Sequence, residues 1–188
     1  MKSKDLAYVA LFAAIVAVLG LLPPVPVPGI PVPITAQTLG VMLAGSVLGA
    51  RRGGLALLVF LAVVAVGLPV LSGGRGGLGV FVGPSAGFLY SWPIAAFVIG
   101  LLTQLFWRRY NLAWALVANL TGGILVIYAL GIPFLSLFGD VPLATAFTGS
   151  MAFVPGDLVK AVAASVVAVA VHRAYPVLER PTPRAAAG

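Results

Sequence analysis

Residues 112–135, LAWALVANLTGGILVIYALGIPFL, contain no charged side chain. An α-helix rises about 1.5 Å per residue, so this stretch extends about 36 Å, enough to cross the ~30 Å hydrocarbon layer of a bilayer. The rest of the chain has the same character, since 61% of all residues are hydrophobic and 8% are charged. Soluble domains carry roughly 25% charged residues. The stretch therefore predicts a transmembrane helix in an integral membrane protein.

Five further apolar segments have lengths suited to membrane helices, although the second is short for a complete crossing. Basic residues separate several of them. Together the segments predict an all-α integral membrane protein, in which a single transmembrane domain is a bundle of six transmembrane helices. The predicted helices cover residues 6–22, 36–50, 55–71, 88–107, 112–135 and 154–172, and residues 176–188 form a tail.

The basic residues fix the expected orientation of this bundle. They lie before the first helix, after the last, and in alternate connections, so they fall on one side of the membrane. Lys and Arg concentrate in cytoplasmic connections. We therefore expect the N- and C-termini and the tail to be cytoplasmic. The residues on this side are Lys2, Lys4, Arg51, Arg52, Arg108, Arg109, Arg173, Arg180 and Arg184.

Several classes of function are excluded by what the chain lacks. The net charge of +7 does not indicate a nucleic-acid partner, because the basic residues stand between apolar runs and not on one polar face. No lysine belongs to a GxxxxGK[ST] phosphate-binding loop. One histidine, four acidic residues and no cysteine offer neither a catalytic triad nor a metal site. We expect a protein that is not an enzyme and needs no metal or cofactor.

Two unusual loops lie on the side opposite the basic residues. Residues 23–33 are dense in proline, which predicts an extended backbone packed across the helix ends. Residues 72–79 are dense in glycine, which lets backbone approach a ligand closely. Either loop alone could be an ordinary connection between helices. The presence of two such loops on the same side favours an outward-facing pocket with a lid.

The segment Phe153-Val-Pro-Gly-Asp-Leu-Val-Lys160 places opposite charges at the start of the last helix. Pro155 suits the first turn, where the helix dipole stabilises the carboxylate of Asp157. Lys160 follows on nearly the same face, and charged groups at such depth are costly and usually functional. Three interpretations are open: a structural ion pair, a ligand site in which Asp157 accepts from N–H groups and Lys160 donates, or a proton relay.

Four motifs together resemble the BioY family, the biotin-specific substrate-binding (S) components of energy-coupling factor (ECF) transporters. Each motif alone is a weak signal, but they occur in the family's order and span nearly the whole chain. They are Pro-Val-Pro-Ile-Thr-Ala-Gln-Thr-Leu (31–39), Gly67-Leu-Pro-Val-Leu-Ser-Gly-Gly-Arg-Gly-Gly, Gly83-Pro-Ser-Ala-Gly-Phe-Leu and Phe153-Val-Pro-Gly-Asp-Leu-Val-Lys.

This resemblance implies a high-affinity biotin-binding subunit of a vitamin importer, located in the cell membrane. It implies that Asp157 and Lys160 form hydrogen bonds with biotin, and that Arg75, Gln37 and Phe88 belong to the pocket. The family often has asparagine at position 75 and usually has tyrosine at position 88. Phe88 therefore offers no hydroxyl group.

Biotin also suits these residues chemically. Its ureido ring has two N–H donors and a carbonyl, which match Asp157 and a cationic donor. Its fused rings and aliphatic chain suit apolar walls. Its carboxylate would favour Arg75 or Lys160, and the sequence leaves that choice open.

The resemblance further implies partner proteins, namely a transmembrane T component and two ATPase subunits. Ala10 and Ala14 belong to a face of small residues on the first helix, and such faces allow close helix packing in lipid. That face either packs inside the bundle or, as in the family, docks the partner. The alternative function is a self-sufficient proton-coupled secondary transporter of a small carboxylate or vitamin.

Overall fold

The structure, a computed structural model, describes residues 3–175 together with Val177 and Leu178. Lys2, Arg180, Arg184 and most of the predicted tail lie outside the described residues. Apart from two isolated β-bridges, the regular structure of the described residues is helical. The helices are α1 (Ser3–Leu19), α2 (Gln37–Leu48), α3 (Ala50–Ala65), α4 (Ala86–Leu105), α5 (Leu112–Leu120), α6 (Ile127–Phe138), α7 (Leu143–Ser150) and α8 (Val154–Ala174).

These helices make six helical segments, because two pairs are joined without a break. A π-helical turn, Thr121–Val126, connects α5 to α6, and a 3₁₀ turn, Met151–Phe153, connects α7 to α8. Among the described residues three segments, Ala86–Leu105, Leu112–Phe138 and Leu143–Ala174, are long and apolar enough to cross a membrane. The prediction of an all-α protein with six helical segments is confirmed.

The short helix α2 runs through the interior of the bundle. It has 12 residues, of which nine are buried. A chain of hydrogen bonds ties it to two neighbours: Ser46 Oγ donates to Asn119 Oδ1 (2.8 Å), and Asn119 Nδ2 donates to Ser165 Oγ (3.0 Å). Such bonds hold helices together where lipid provides no hydrophobic driving force. The central position of α2 explains why it need not be a full membrane span.

The third helix is displaced from its predicted position, residues 55–71. It begins five residues earlier, because Gly49 alone separates it from α2 and reverses the chain with a φ of +81°. Arg51 and Arg52 therefore lie in its first turn and not in a connecting loop. It ends six residues earlier, before Gly67 with its φ of +107°. Apolar composition continues beyond that point and misled the prediction.

The stretch before residue 154, predicted as a connection, is also helical, since it contains α7. This helix has eight residues and mixes serine, threonine and glycine with apolar residues. Its Thr148 Oγ1 bonds back to the carbonyl of Ala144 at 2.9 Å. A helix of this length and composition has no membrane-span signal, so its residues cannot be told apart from a loop by hydrophobicity.

The start of α1, the turn between α2 and α3 and the residues after α8 meet at one end of the bundle. Arg52 Nη2 lies 2.7 Å from Asp5 Oδ1, and Arg52 Nη1 donates to the carbonyl of Val177 at 3.1 Å. A chain that crosses the bundle an even number of times begins and ends on the same side, as these residues do. That this end faces the cytoplasm remains a prediction from the charge bias.

The proline-rich residues 23–33 pack across the opposite end of the bundle. Val25 and Ile34 form an antiparallel bridge, with N–O distances of 3.0 and 2.8 Å. Ile30 and Val32 are buried, each with 7% of its surface exposed. The loop thus covers helix ends, as its composition predicted.

Cysteines introduced singly at Arg51, Arg108 and Arg75 test the orientation, because the chain has no cysteine of its own. All three side chains are exposed on the protein. In intact cells only Arg75→Cys should react with a membrane-impermeant thiol reagent, and all three should react after permeabilisation. Equal labelling of Arg51→Cys or Arg108→Cys in sealed cells would show that the orientation is wrong.

Candidate functional site

A cavity lies at the end of the bundle covered by the proline-rich loop, and all five residues predicted for the site line it. They are Gln37, Arg75, Phe88, Asp157 and Lys160. The cavity has a volume of about 60 Å³. Its other lining residues are Val32, Pro33, Ile34, Thr35, Thr38, Leu71, Ser85, Leu89, Trp92, Ile127, Tyr128 and Phe153.

The carboxylate of Asp157 lies at the buried side of this cavity, with 3% of the residue exposed. Pro155 lies at the start of α8, and Asp157 follows in the first turn, as predicted. Oδ1 accepts from Lys160 Nζ at 2.8 Å and from Thr38 Oγ1 at 3.1 Å. Oδ2 accepts from the Tyr128 hydroxyl at 2.7 Å. A buried carboxylate is thus paired with a cation and held from three helices.

The ammonium group of Lys160 is equally well bonded. Besides Asp157, it donates to the carbonyl of Thr35 at 2.6 Å and to Thr38 Oγ1 at 2.9 Å. An ammonium group has three N–H donors, so all three have partners. The Thr38 hydroxyl accepts from Lys160 and donates to Asp157, which links the two charges a second time.

Arg75 reaches the same cavity from the glycine-rich loop. Gly73 and Gly74 have φ values of +80° and +70°, which turn the chain so that Arg75 pairs with Leu71 in an isolated bridge. Its Nε donates to the carbonyl of Ser72 at 3.3 Å, and its Nη1 donates to Ser85 Oγ at 3.4 Å. Arg75 is exposed, in contrast to Asp157, and therefore lies at the rim.

Gln37 lines the cavity, but its amide group is used to hold the protein together. Its Nε2 donates to the carbonyls of Val16 (3.1 Å) and Val70 (3.2 Å), and its Oε1 accepts from the backbone N–H of Ser72 (3.0 Å). The residue is 1% exposed. The predicted direct contact with a ligand stays a prediction, while the geometry favours a positioning role for the glycine-rich loop.

Aromatic side chains form the apolar walls. Phe88 and Tyr128 both meet Phe153 edge to face, with ring centroids 6.0 and 6.2 Å apart. Trp92 lies one helical turn beyond Phe88 on the same face of α4 and is 5% exposed. The pocket therefore offers flat, rigid surfaces between its polar groups.

Sequence reasoning missed three of the polar or aromatic contributors. Thr38 lies within the 31–39 motif, so the motif could have identified it as a site residue. Tyr128 is a single phenol within a charge-free membrane segment, where a polar group calls for a partner. Trp92 carries no comparable signal, because aromatic residues are common throughout membrane helices.

The alanine face of α1 points away from the bundle. Ala10 and Ala14 are exposed. The opposite face, made of Val9, Ala13 and Val16, is buried. Packing of Ala10 and Ala14 inside this bundle is therefore not the explanation for their small size, and the face is free for lipid or for another membrane protein.

The chemistry available in the cavity is that of binding. A carboxylate has about four lone-pair positions, and those of Asp157 already accept from Lys160, Thr38 and Tyr128. One acceptor position is left for a ligand N–H. Arg75 has five N–H donors and uses two. The site suits a ligand with N–H groups, an apolar body and an acceptor or anionic end.

The BioY family model matches residues 1–177. The biotin transporter BioY of Rhizobium etli is 52% identical over 186 residues, which cover 95% of this chain and 98% of the relative. The biotin transporter BioY of Rhodobacter capsulatus is 49% identical over 189 residues, covering 94% and 98%.

A solved structure has the same fold. The crystal structure of the S-component for biotin from an ECF-type ABC transporter superimposes with a TM-score of 0.87 at 36% sequence identity. The match covers 92% of this chain and 92% of that chain. The likeness therefore extends over most of both chains.

Proposed function

This chain belongs to the BioY family, and on that premise we propose that the cavity lined by Asp157 and Lys160 is its biotin-binding site. The chain is a biotin transporter of the S-component kind, a multi-pass membrane protein and not an enzyme. The observation that carries the site assignment is the buried Asp157 carboxylate, which lines the cavity and accepts from three donors, so that one acceptor position remains.

The two ends and the body of biotin match this set of groups. A ureido N–H of biotin donates to the remaining position on Asp157, and the ureido carbonyl accepts from Lys160 when Thr35 or Thr38 releases it. The fused rings and aliphatic chain lie against Phe88 and the neighbouring aromatic side chains.

Gln37 supports this site from behind. Its bonds to Val16, Val70 and Ser72 join α1 to the start of the glycine-rich loop. In this proposal Gln37 contributes to biotin binding by fixing that loop, and Phe88 contributes an apolar wall without a hydroxyl group.

The proposal extends to the partners and the location of the chain. We infer one transmembrane domain over residues 1–188, with a cytoplasmic tail at 176–188, in the plasma membrane. The exposed Ala10 and Ala14 form part of the face that docks a transmembrane T component, which works with two ATPase subunits. A proton-coupled secondary transporter, the alternative left open by the sequence, has no comparable support.

Uptake of radiolabelled biotin tests this function. The chain is expressed in cells that have no other biotin importer, alone and together with a T component and ATPase subunits. We expect the partners to raise the uptake rate at least about tenfold, and ATPase variants that cannot hydrolyse ATP to abolish that gain. Uptake that depends on a proton gradient and ignores the partners would refute the proposal.

A further inference from the structure

We propose that Arg75 binds the carboxylate of the ligand and makes the site selective for the free acid over its esters and amides. This inference rests on the proposed biotin site and decides which of two cations, Arg75 or Lys160, meets the acidic end. It assigns a specificity-determining role to the arginine at position 75.

The first argument is charge balance. Between described residues the ion pairs are Arg52–Asp5 and Lys160–Asp157, and neither includes Arg75. Arg75 bonds to an uncharged carbonyl and an uncharged hydroxyl, at the long distances of 3.3 and 3.4 Å. Its positive charge is therefore uncompensated by any described carboxylate, and three of its five N–H groups are free to donate.

Lys160, in contrast, carries a charge that is already balanced. Its three N–H groups bond to Thr35, Thr38 and Asp157, and its charge is balanced by Asp157 at 2.8 Å. A ligand carboxylate at Lys160 would put a second negative charge beside the buried Asp157. Two carboxylates that share one site repel each other and one is driven to take up a proton. The ureido ring, which is neutral, meets no such penalty.

The position of the two groups agrees with this assignment. Arg75 is exposed at the rim, while Asp157 is 3% exposed. A neutral ring at the buried side and a carboxylate at the rim keep the charged end of the ligand partly hydrated, which lowers the cost of desolvation. The backbone of Arg75 is held by two bonds to Leu71, at 3.0 and 3.2 Å, so the guanidinium starts from an ordered loop.

The guanidinium group also suits a carboxylate by shape. Its planar N–H groups bind both oxygens at once, which an ammonium group or an amide cannot do. The ester or amide of biotin keeps the ring and the chain but lacks the negative charge. Discrimination between these ligands therefore reports on the group that binds the carboxylate.

Competition binding on purified protein tests the assignment. Biotin, biotin methyl ester and biotin amide compete with radiolabelled biotin for the unaltered chain and for Arg75→Gln, Arg75→Lys, Lys160→Met and Arg108→Gln. The unaltered chain should prefer biotin over its amide by about tenfold to a hundredfold, the usual range for a charged hydrogen-bond partner. Arg75→Gln should lose this preference while binding the amide as before, and Arg75→Lys should keep part of it. Arg108, exposed at the other end of the protein, is the matched control and should leave the preference unchanged.

Two results would overturn the assignment without touching the proposed function. One is equal affinity of the unaltered chain for biotin and its amide. The other is a preference that survives in Arg75→Gln but disappears in Lys160→Met. Failure of biotin to bind the unaltered chain at all would instead overturn the proposed function, and this inference with it.

Discussion

Biotin should bind the Asp157→Asn variant at least about tenfold more weakly than the unaltered chain, and Asp157→Ala more weakly still. A hydrogen bond to a charged partner contributes about 1.5–3 kcal/mol, and ~1.4 kcal/mol corresponds to a factor of ten in affinity. Asparagine keeps the shape and one acceptor but loses the charge that holds Lys160. Alanine also strands the hydroxyl of Tyr128, which donates to Oδ2 at 2.7 Å.

Asp140→Asn is the matched control for this experiment. Asp140 is an exposed carboxylate in the turn before α7 and does not line the cavity. Its φ is +51°, a conformation that asparagine tolerates, so the replacement should not strain the backbone. Equilibrium binding should give this variant the affinity of the unaltered chain. Equal losses in Asp157→Asn and Asp140→Asn would point to a general charge effect and away from the cavity.

Replacing Ala10 and Ala14 by tryptophan should abolish biotin uptake in cells that express the partner subunits, yet leave biotin binding nearly intact. Both side chains are exposed on α1, so the larger residues fit without disturbing the bundle. On a docking face they would hold the partner's helix away from the backbone, where small residues permit close approach. Uptake in cells and binding to the purified variant measure the two properties separately.

Leu101→Trp provides the control for added bulk in the membrane. Leu101 lies on α4 and is 41% exposed, and its replacement should leave both uptake and binding close to normal. Loss of binding together with uptake in the double alanine variant would show that the face supports the fold. Normal uptake in that variant would show that no partner docks there.

The sequence supported the six-segment fold because hydrophobic runs and basic connections are strong signals in a membrane protein. It could not place the start of α3. A pair of arginines is typical of a loop, and only the structure shows that Gly49 makes the whole turn and that Arg51 and Arg52 belong to the helix. Nor could the sequence detect α7, whose eight residues are too few for a membrane span. Local turn geometry and short helices depend on packing that composition does not record.

The candidate site was predictable to a similar degree. Asp157 and Lys160 are conspicuous because charges within an apolar run are costly and demand partners. Tyr128 was not predictable in this way. Which face of a helix lines a cavity depends on the rotation of the helix about its own axis. The π-helical turn Thr121–Val126 precedes it and adds residues to the turn, so the faces beyond it shift relative to a regular α-helix. Gln37 lines the cavity, but only its bonds reveal that it holds the loop.

The central claim is that the Asp157–Lys160 pair binds biotin directly and is not merely a structural ion pair. The most direct measurement is equilibrium binding of biotin to detergent-purified protein, for the unaltered chain and for Asp157→Asn combined with Lys160→Met. Removing both charges leaves no buried charge unpaired, so the double variant should remain folded. We expect monodisperse, helical protein whose biotin affinity is reduced at least about tenfold, the value of one lost charged bond. A folded double variant that binds biotin as tightly as the unaltered chain would contradict the claim.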